Sequence, residues 1–162
     1  MDSIIKWDNL QRVLGEIGNE LRNEYQDRLI RDNKIASGEL LNSVNYEVQY
    51  DDRSIWVELH LADYYKWVEE GRAPGRFPPV DKIQEWIRIK PIIPDGRTGK
   101  LPTEEQLAFL IGRKIAEQGI QPGHQLQDTM RDKNDEIERR IDEAIALDVD
   151  ASVDIIFSQF FS

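Results

Sequence analysis

A change of hydrophobic period near residue 40 is the feature that most constrains this chain. Ile5 leads into Leu10, Val13, Leu14, Ile17, Leu21, Tyr25 and Leu29, and from Leu10 onward these recur at spacings of three and four, which gathers them on one face of a helix. Val44, Tyr46, Val48 and Tyr50 then alternate with polar residues, and so do Ile55, Val57, Leu59 and Leu61. That is the period of a half-buried strand. Asp51-Asp52-Arg53-Ser54 is turn text between the two runs, so an antiparallel hairpin with one buried face is expected. A helix over about residues 2–35 followed by a hairpin gives an α+β class: a small antiparallel sheet packed by a long N-terminal helix and several C-terminal helices. Gly15 and Gly18 each lower helix propensity by about 1 kcal/mol, which marks a bend or a close packing contact. The period breaks around Ser37-Gly38, and Trp56 and His60 fall on the other face of the hairpin.

Residues 62–70 suit a short helix with Asp63 as N-cap and Gly71 at its end; Tyr64, Trp67 and Val68 are expected in the core. Pro78-Pro79 fit the first turn of a further helix, with Val80, Ile83, Trp86 and Ile87 as its buried stripe and Pro91 as its stop. Residues 91–102 read as a turn-rich loop. Thr103 and Gln106 spell a capping box that opens a helix to about Gln118, with Leu107, Leu110, Ile111 and Ile115 inward and Gly119 at its end. After the turn Gln121-Pro122-Gly123, a final helix carries Leu126, Met130, Ile137, Ile141 and Ile145 on one face. A single α+β domain is expected over residues 1–148. An apolar segment, residues 149–162, then closes that domain's own core or docks on a neighbouring subunit. Within it Val153, Ile156, Phe157, Phe160 and Phe161 form another helical stripe.

At 162 residues the chain is sized for one domain whose core needs no metal or disulfide. Cysteine is absent, which removes disulfides, thiolate nucleophiles and thiolate zinc sites. No signal peptide is visible and no apolar run approaches the roughly 20 residues of a membrane span, so a soluble, non-secreted chain with no membrane partner is expected. The net charge of −10 is uneven: residues 72–100 hold seven basic and three acidic side chains, a local +4, and residues 124–162 hold four and ten, a local −6. Such acidity argues against a broad grip on nucleic acid.

His60 and His124 are the two histidines, and neither accompanies a nucleophile motif. Zinc and EF-hand spacings are missing, and the carboxylate pairs sit side by side on helix text rather than across a cleft. No catalytic, cofactor-binding or metal-binding residue is assigned, and no enzymatic activity is expected. Gly71-Arg72-Ala73-Pro74-Gly75-Arg76 lacks the lysine and hydroxyl of a phosphate loop; its arginines are either solvated or contact phosphates or carboxylates. A stiff loop tipped by an aromatic loses little entropy on docking. Arg72, Pro74, Gly75, Arg76 and Phe77, with Phe157, Phe160 and Phe161, are therefore the candidate subunit interface.

Ser37-Gly38-Glu39-Leu40-Leu41-Asn42-Ser43 precedes the hairpin, Trp67-Val68-Glu69-Glu70-Gly71 follows it, and then come the Pro74–Pro79 loop, the Ile83–Trp86 helix text and Ile115 to Pro122. In that order these segments resemble the bacteriophage neck and tail-completion proteins, also called head–tail joining or tail-component proteins, over about residues 35–125. One difference from that pattern is Gly123-His124-Gln125, where many members have a Pro-Phe segment. The resemblance implies a virion structural protein made in the host cytoplasm, a homo-oligomeric ring joining the head connector to the tail. Its implied partners are other neck, portal-adaptor or tail proteins, with DNA only as cargo passing through the channel. The competing reading is a host-directed binding module or a small nucleic-acid-processing enzyme that uses the Arg72/Arg76 loop.

Overall fold

The computed structural model describes residues 5–34, 37–51, 54–90 and 101–160, with the side chain of Phe160 outside that set. In chain order the elements are α1 (Asp8–Arg31), α2 (Glu39–Ser43), β1 (Asn45–Tyr50), β2 (Ile55–His60), α3 (Tyr65–Glu70), α4 (Val80–Ile89), α5 (Glu104–Gln118) and α6 (Gln125–Phe160). The class is α+β and mostly helical. The chain divides into two compact units, one of residues 1–28, 44–61 and 126–162 and the other of residues 29–43 and 62–125. Each unit is assembled from segments distant in sequence, an organisation that periodicity within single segments does not reveal. Residues 149–160 continue α6 without a break, so the terminal stripe and the preceding one lie on the same helix.

The first unit is a helix pair with a hairpin. Leu10, Val13, Leu14, Ile17 and Leu21 of α1 are buried with Ala144 of α6, and Val48, Ile55, Val57, Leu59, Ile137, Ile141 and Ile145 pack against them. β1 and β2 pair antiparallel, with Tyr46 opposite Leu59, Val48 opposite Val57 and Tyr50 opposite Ile55. The Asp51 amide donates to the Ser54 carbonyl at the turn. Tyr50 differs from expectation. It stands at the far end of the hairpin and is 72% exposed, and Trp56 on the opposite face is also exposed. Gly18 is the close contact anticipated in α1, since a Cβ there would fall on the Tyr46 ring, whereas Gly15 faces open space. Arg22 places its guanidinium 5.7 Å from the centre of that same ring, within cation–π range.

Charged side chains fasten α1 to α6. Arg140 donates from one guanidinium nitrogen to both carboxylate oxygens of Glu20, at 2.9 and 2.8 Å, and from the other to Glu16 at 3.0 Å. Arg28 reaches Asp132 at 2.8 Å and Glu24 at 2.8 Å. Both arginines have largely covered side chains, 17% and 14% exposed, so their apolar stems contribute packing as well as charge.

In the second unit, Ile83 and Ile87 of α4 are buried against Ala108 of α5, with Val80, Leu107 and Ile111 around them. The expected capping box is present. The Gln106 amide donates to Thr103 Oγ1 at 3.2 Å, and Gln106 Oε1 accepts from the Thr103 amide at 3.0 Å. Four expectations are corrected here. Tyr64 rather than Asp63 precedes α3, and no side chain caps it. Trp67, Trp86 and Leu110, expected inward, are 67%, 37% and 45% exposed. The buried line of α5 runs through Ala108 and Gly112. A Cβ on Gly112 would stand 2.6 Å from Phe77 Cζ and 3.1 Å from Ile83 Cδ1. Small residues let those neighbours press onto the helix backbone, and that rotation leaves Leu110 outward. On α4 the close pair Ile83–Ile87 sets the inward line and turns Trp86 toward the rim. The expected loop at 91–102 lies mostly outside the described residues.

Candidate interaction surface

α3 and α5 both end on glycines in the left-handed region, Gly71 at φ 67° and Gly119 at φ 73°. The segments leaving those glycines pair with each other. The Arg72 amide donates to the Ile120 carbonyl at 2.8 Å, and the Ile120 amide returns a bond to the Arg72 carbonyl at 2.8 Å. A side chain is excluded at either glycine, because a Cβ on Gly71 would fall on the Ile120 carbonyl oxygen and one on Gly119 on that of Arg72. Further along, the Gly75 amide donates to the Ala116 carbonyl at 2.7 Å, and the Gly123 amide to Val68 and Glu69 carbonyls at 3.0 Å.

The loop is thus held by backbone bonds to the C-terminal end of α5. Arg72 also donates from its guanidinium to the Arg76 carbonyl at 2.6 Å, bracing the loop from within. Phe77 rests on Phe109 with ring centres 5.5 Å apart, yet is still 37% exposed. Pro74, Gly75 and Arg76 are exposed around it. The structure therefore brings Arg72, Pro74, Gly75, Arg76 and Phe77 into one fixed protrusion. Phe157 lies on α6 in the other unit and is 57% exposed. The Phe160 side chain and Phe161 lie outside the described residues.

Beside this protrusion is a feature that sequence reasoning missed. Trp67 of α3, Trp86 and Ile83 of α4 and Ile111 of α5 wall an apolar groove of about 560 Å³. Lys34, Arg72, Lys82 and Lys90 border it, and its lining holds no carboxylate among the described residues. Lys90 is positioned by Asn33, whose carbonyl and Oδ1 both accept from its ammonium at 2.9 Å. Lys82 donates to Glu85 of the same helix at 3.1 Å, a contact that raises the lysine's pKa above its usual value. The sequence signal is the pair of tryptophans flanking the Gly–Pro loop, which helical spacing alone places inward. α3 has only six residues, too short a helix for spacing to decide which face is covered.

His60 and His124 are exposed. No group of three or more histidine, aspartate or glutamate side chains among the described residues is arranged to hold a metal ion, and no described helix is long and apolar enough to cross a membrane. Comparison of the chain with models of protein families, with curated proteins and with solved structures returned no match.

Proposed function

We propose that this chain is a structural subunit of a tailed-phage virion: a neck or tail-completion protein that assembles as a ring between head connector and tail. The carrying observation is a pair of apolar surfaces on separate units. Trp67, 67% exposed, stands on one unit, and Phe157, 57% exposed, on the other. Large apolar patches left in water mark interaction sites. A subunit in a ring needs two different faces, one for each neighbour. The order of the motifs from Ser37 to Pro122 supports the phage assignment. A net charge of −10 suits a channel subunit that lets a polyanion slide past, because a cationic lining would hold it.

Native mass spectrometry and negative-stain electron microscopy test the reading. Closed rings are expected from the purified chain, alone or once mixed with portal-adaptor and tail proteins. A chain that stays monomeric in every mixture overturns it. In particles, antibody against the chain is expected to decorate the neck; labelling of infected-cell fractions but never of virions overturns the virion role.

A further inference from the structure

We propose that the apolar end of α6 in one copy of this chain lies in the Trp67–Trp86 groove of the next copy. This rests on the ring reading and names the two faces that meet in it.

The helix end has the form of a groove-binding segment. Val153, Ile156 and Phe157 fall at spacings of three and four on one face, and Val153 and Phe157 are 41% and 57% exposed. Amphipathic helices dock into apolar grooves by anchors at this spacing. From Ala144 to Phe160 the charged residues are Asp148, Asp150 and Asp154, with no base. Asp148 is turned inward and 2% exposed, which leaves Asp150 and Asp154 exposed beside the apolar face.

The groove is complementary in both respects. Its walls are aromatic and aliphatic, and its border carries Lys34, Arg72, Lys82 and Lys90 without a carboxylate in the lining. Opposite charge at an interface sets register and rejects wrong partners. A second apolar depression of the same volume, about 560 Å³, is bordered by Val80, Phe109 and Leu110. Its one charged lining residue among those described is Glu105, which has the sign of the helix end and repels it. Charge therefore selects between two depressions that size does not distinguish. Because groove and helix end are different surfaces, their contact is head-to-tail, and a closing rotation makes it a ring.

The chain has no cysteine, so introduced thiols report cleanly. Lys82→Cys and Asp154→Cys, carried on separate copies and mixed, are expected to give a covalent dimer of unlike copies under mild oxidation. Tyr50→Cys with Asp154→Cys, the control on the exposed hairpin end, is expected to give none. Phe157→Asp is expected to weaken association by roughly thirtyfold, as loss of an interface anchor does. Rings that form without the Lys82–Asp154 cross-link, and form equally well with Phe157→Asp, overturn the docking and leave the ring reading standing. A cross-link inside a doubly substituted copy at high dilution, absent between copies, also overturns it. Cross-linked open dimers without rings uphold the docking and overturn the ring. Monomers under every condition overturn both.

Discussion

One carboxylate oxygen of Asp148 accepts two hydrogen bonds from Asn9, from the backbone amide at 3.0 Å and from the side-chain amide at 2.8 Å. Its other oxygen takes the Leu10 amide at 2.9 Å. The first amides of a helix have no partner inside it, so a residue of α6 caps α1 from 139 positions away. Burial pushes this carboxyl's pKa up, but the Leu10 and Asn9 amides outweigh it and hold it below the usual carboxylate value. Asp148→Asn is expected to cost about 2 kcal/mol at neutral pH, the range for a lost cap and a charge-assisted hydrogen bond. A depressed folded pKa stabilises fully above the unfolded value of about 3.9 and loses that contribution as pH falls through the folded value. Urea melts of both proteins should therefore differ at neutral pH and converge in acid. A gap of the same size at about pH 2.5 rejects the assignment.

Two glycines on α1 should respond oppositely to the same substitution. Gly15→Ala meets nothing within 4 Å and is expected to stabilise by about 1 kcal/mol, the helix-propensity difference. Gly18→Ala places its methyl on the Tyr46 ring and is expected to destabilise by roughly 1–3 kcal/mol as an overpacked site. Thermal melts decide both, and equal shifts of one sign would mean the α1–hairpin packing is misassigned.

The parts of this fold that were legible in sequence are those specified locally. The seven buried hydrophobic residues of α1 from Leu10 to Leu29, the pairing of β1 with β2, the Thr103–Gln106 box and the Gly71 and Gly119 helix ends each have a short-range cause. Facing was legible throughout the 24 residues of α1 and only in part on α3, α4 and α5. Trp86 and Leu110 were turned outward by packing of Ile83, Ile87, Ala108 and Gly112, and small buried residues give hydrophobic periodicity no signal. The Asp148 cap and the division into two units depend on contacts across much of the chain, which no window of sequence contains. The loop from Arg72 to Phe77 was recognisable from its prolines and glycines. Its attachment to α5 was not, because that rests on backbone groups every residue carries.

Gly71→Ala tests that attachment. The substitution forces a side chain into φ 67° and onto the Ile120 carbonyl, and it approaches the Pro122 nitrogen to 2.7 Å. Strain at such positions costs of order 1–3 kcal/mol. The expected outcome is loss of hydrogen-exchange protection at the Arg72 and Ile120 amides, whose mutual bonds are 2.8 Å long, while amides of β1 and β2 keep theirs. Protection that survives at Arg72 and Ile120 shows that Gly71 is not what lets the two segments meet.

Charge exchange offers the most demanding check on the assembled state. Lys82 at the groove rim and Asp154 on α6 carry opposite charges, and screening at about 0.5 M salt shortens the reach of such charges to a few ångströms. Association measured by sedimentation is therefore expected to weaken from low salt to about 0.5 M. Lys82→Glu and Asp154→Lys are each expected to weaken it at low salt, since each puts like charges together. The doubly exchanged chain is expected to recover most of the loss, because the pair is restored with its signs reversed. Recovery separates a direct contact from two independent injuries, which would add. Single exchanges that weaken association without mutual rescue place these residues in different contacts, and salt-insensitive association assigns the cohesion to apolar surface alone.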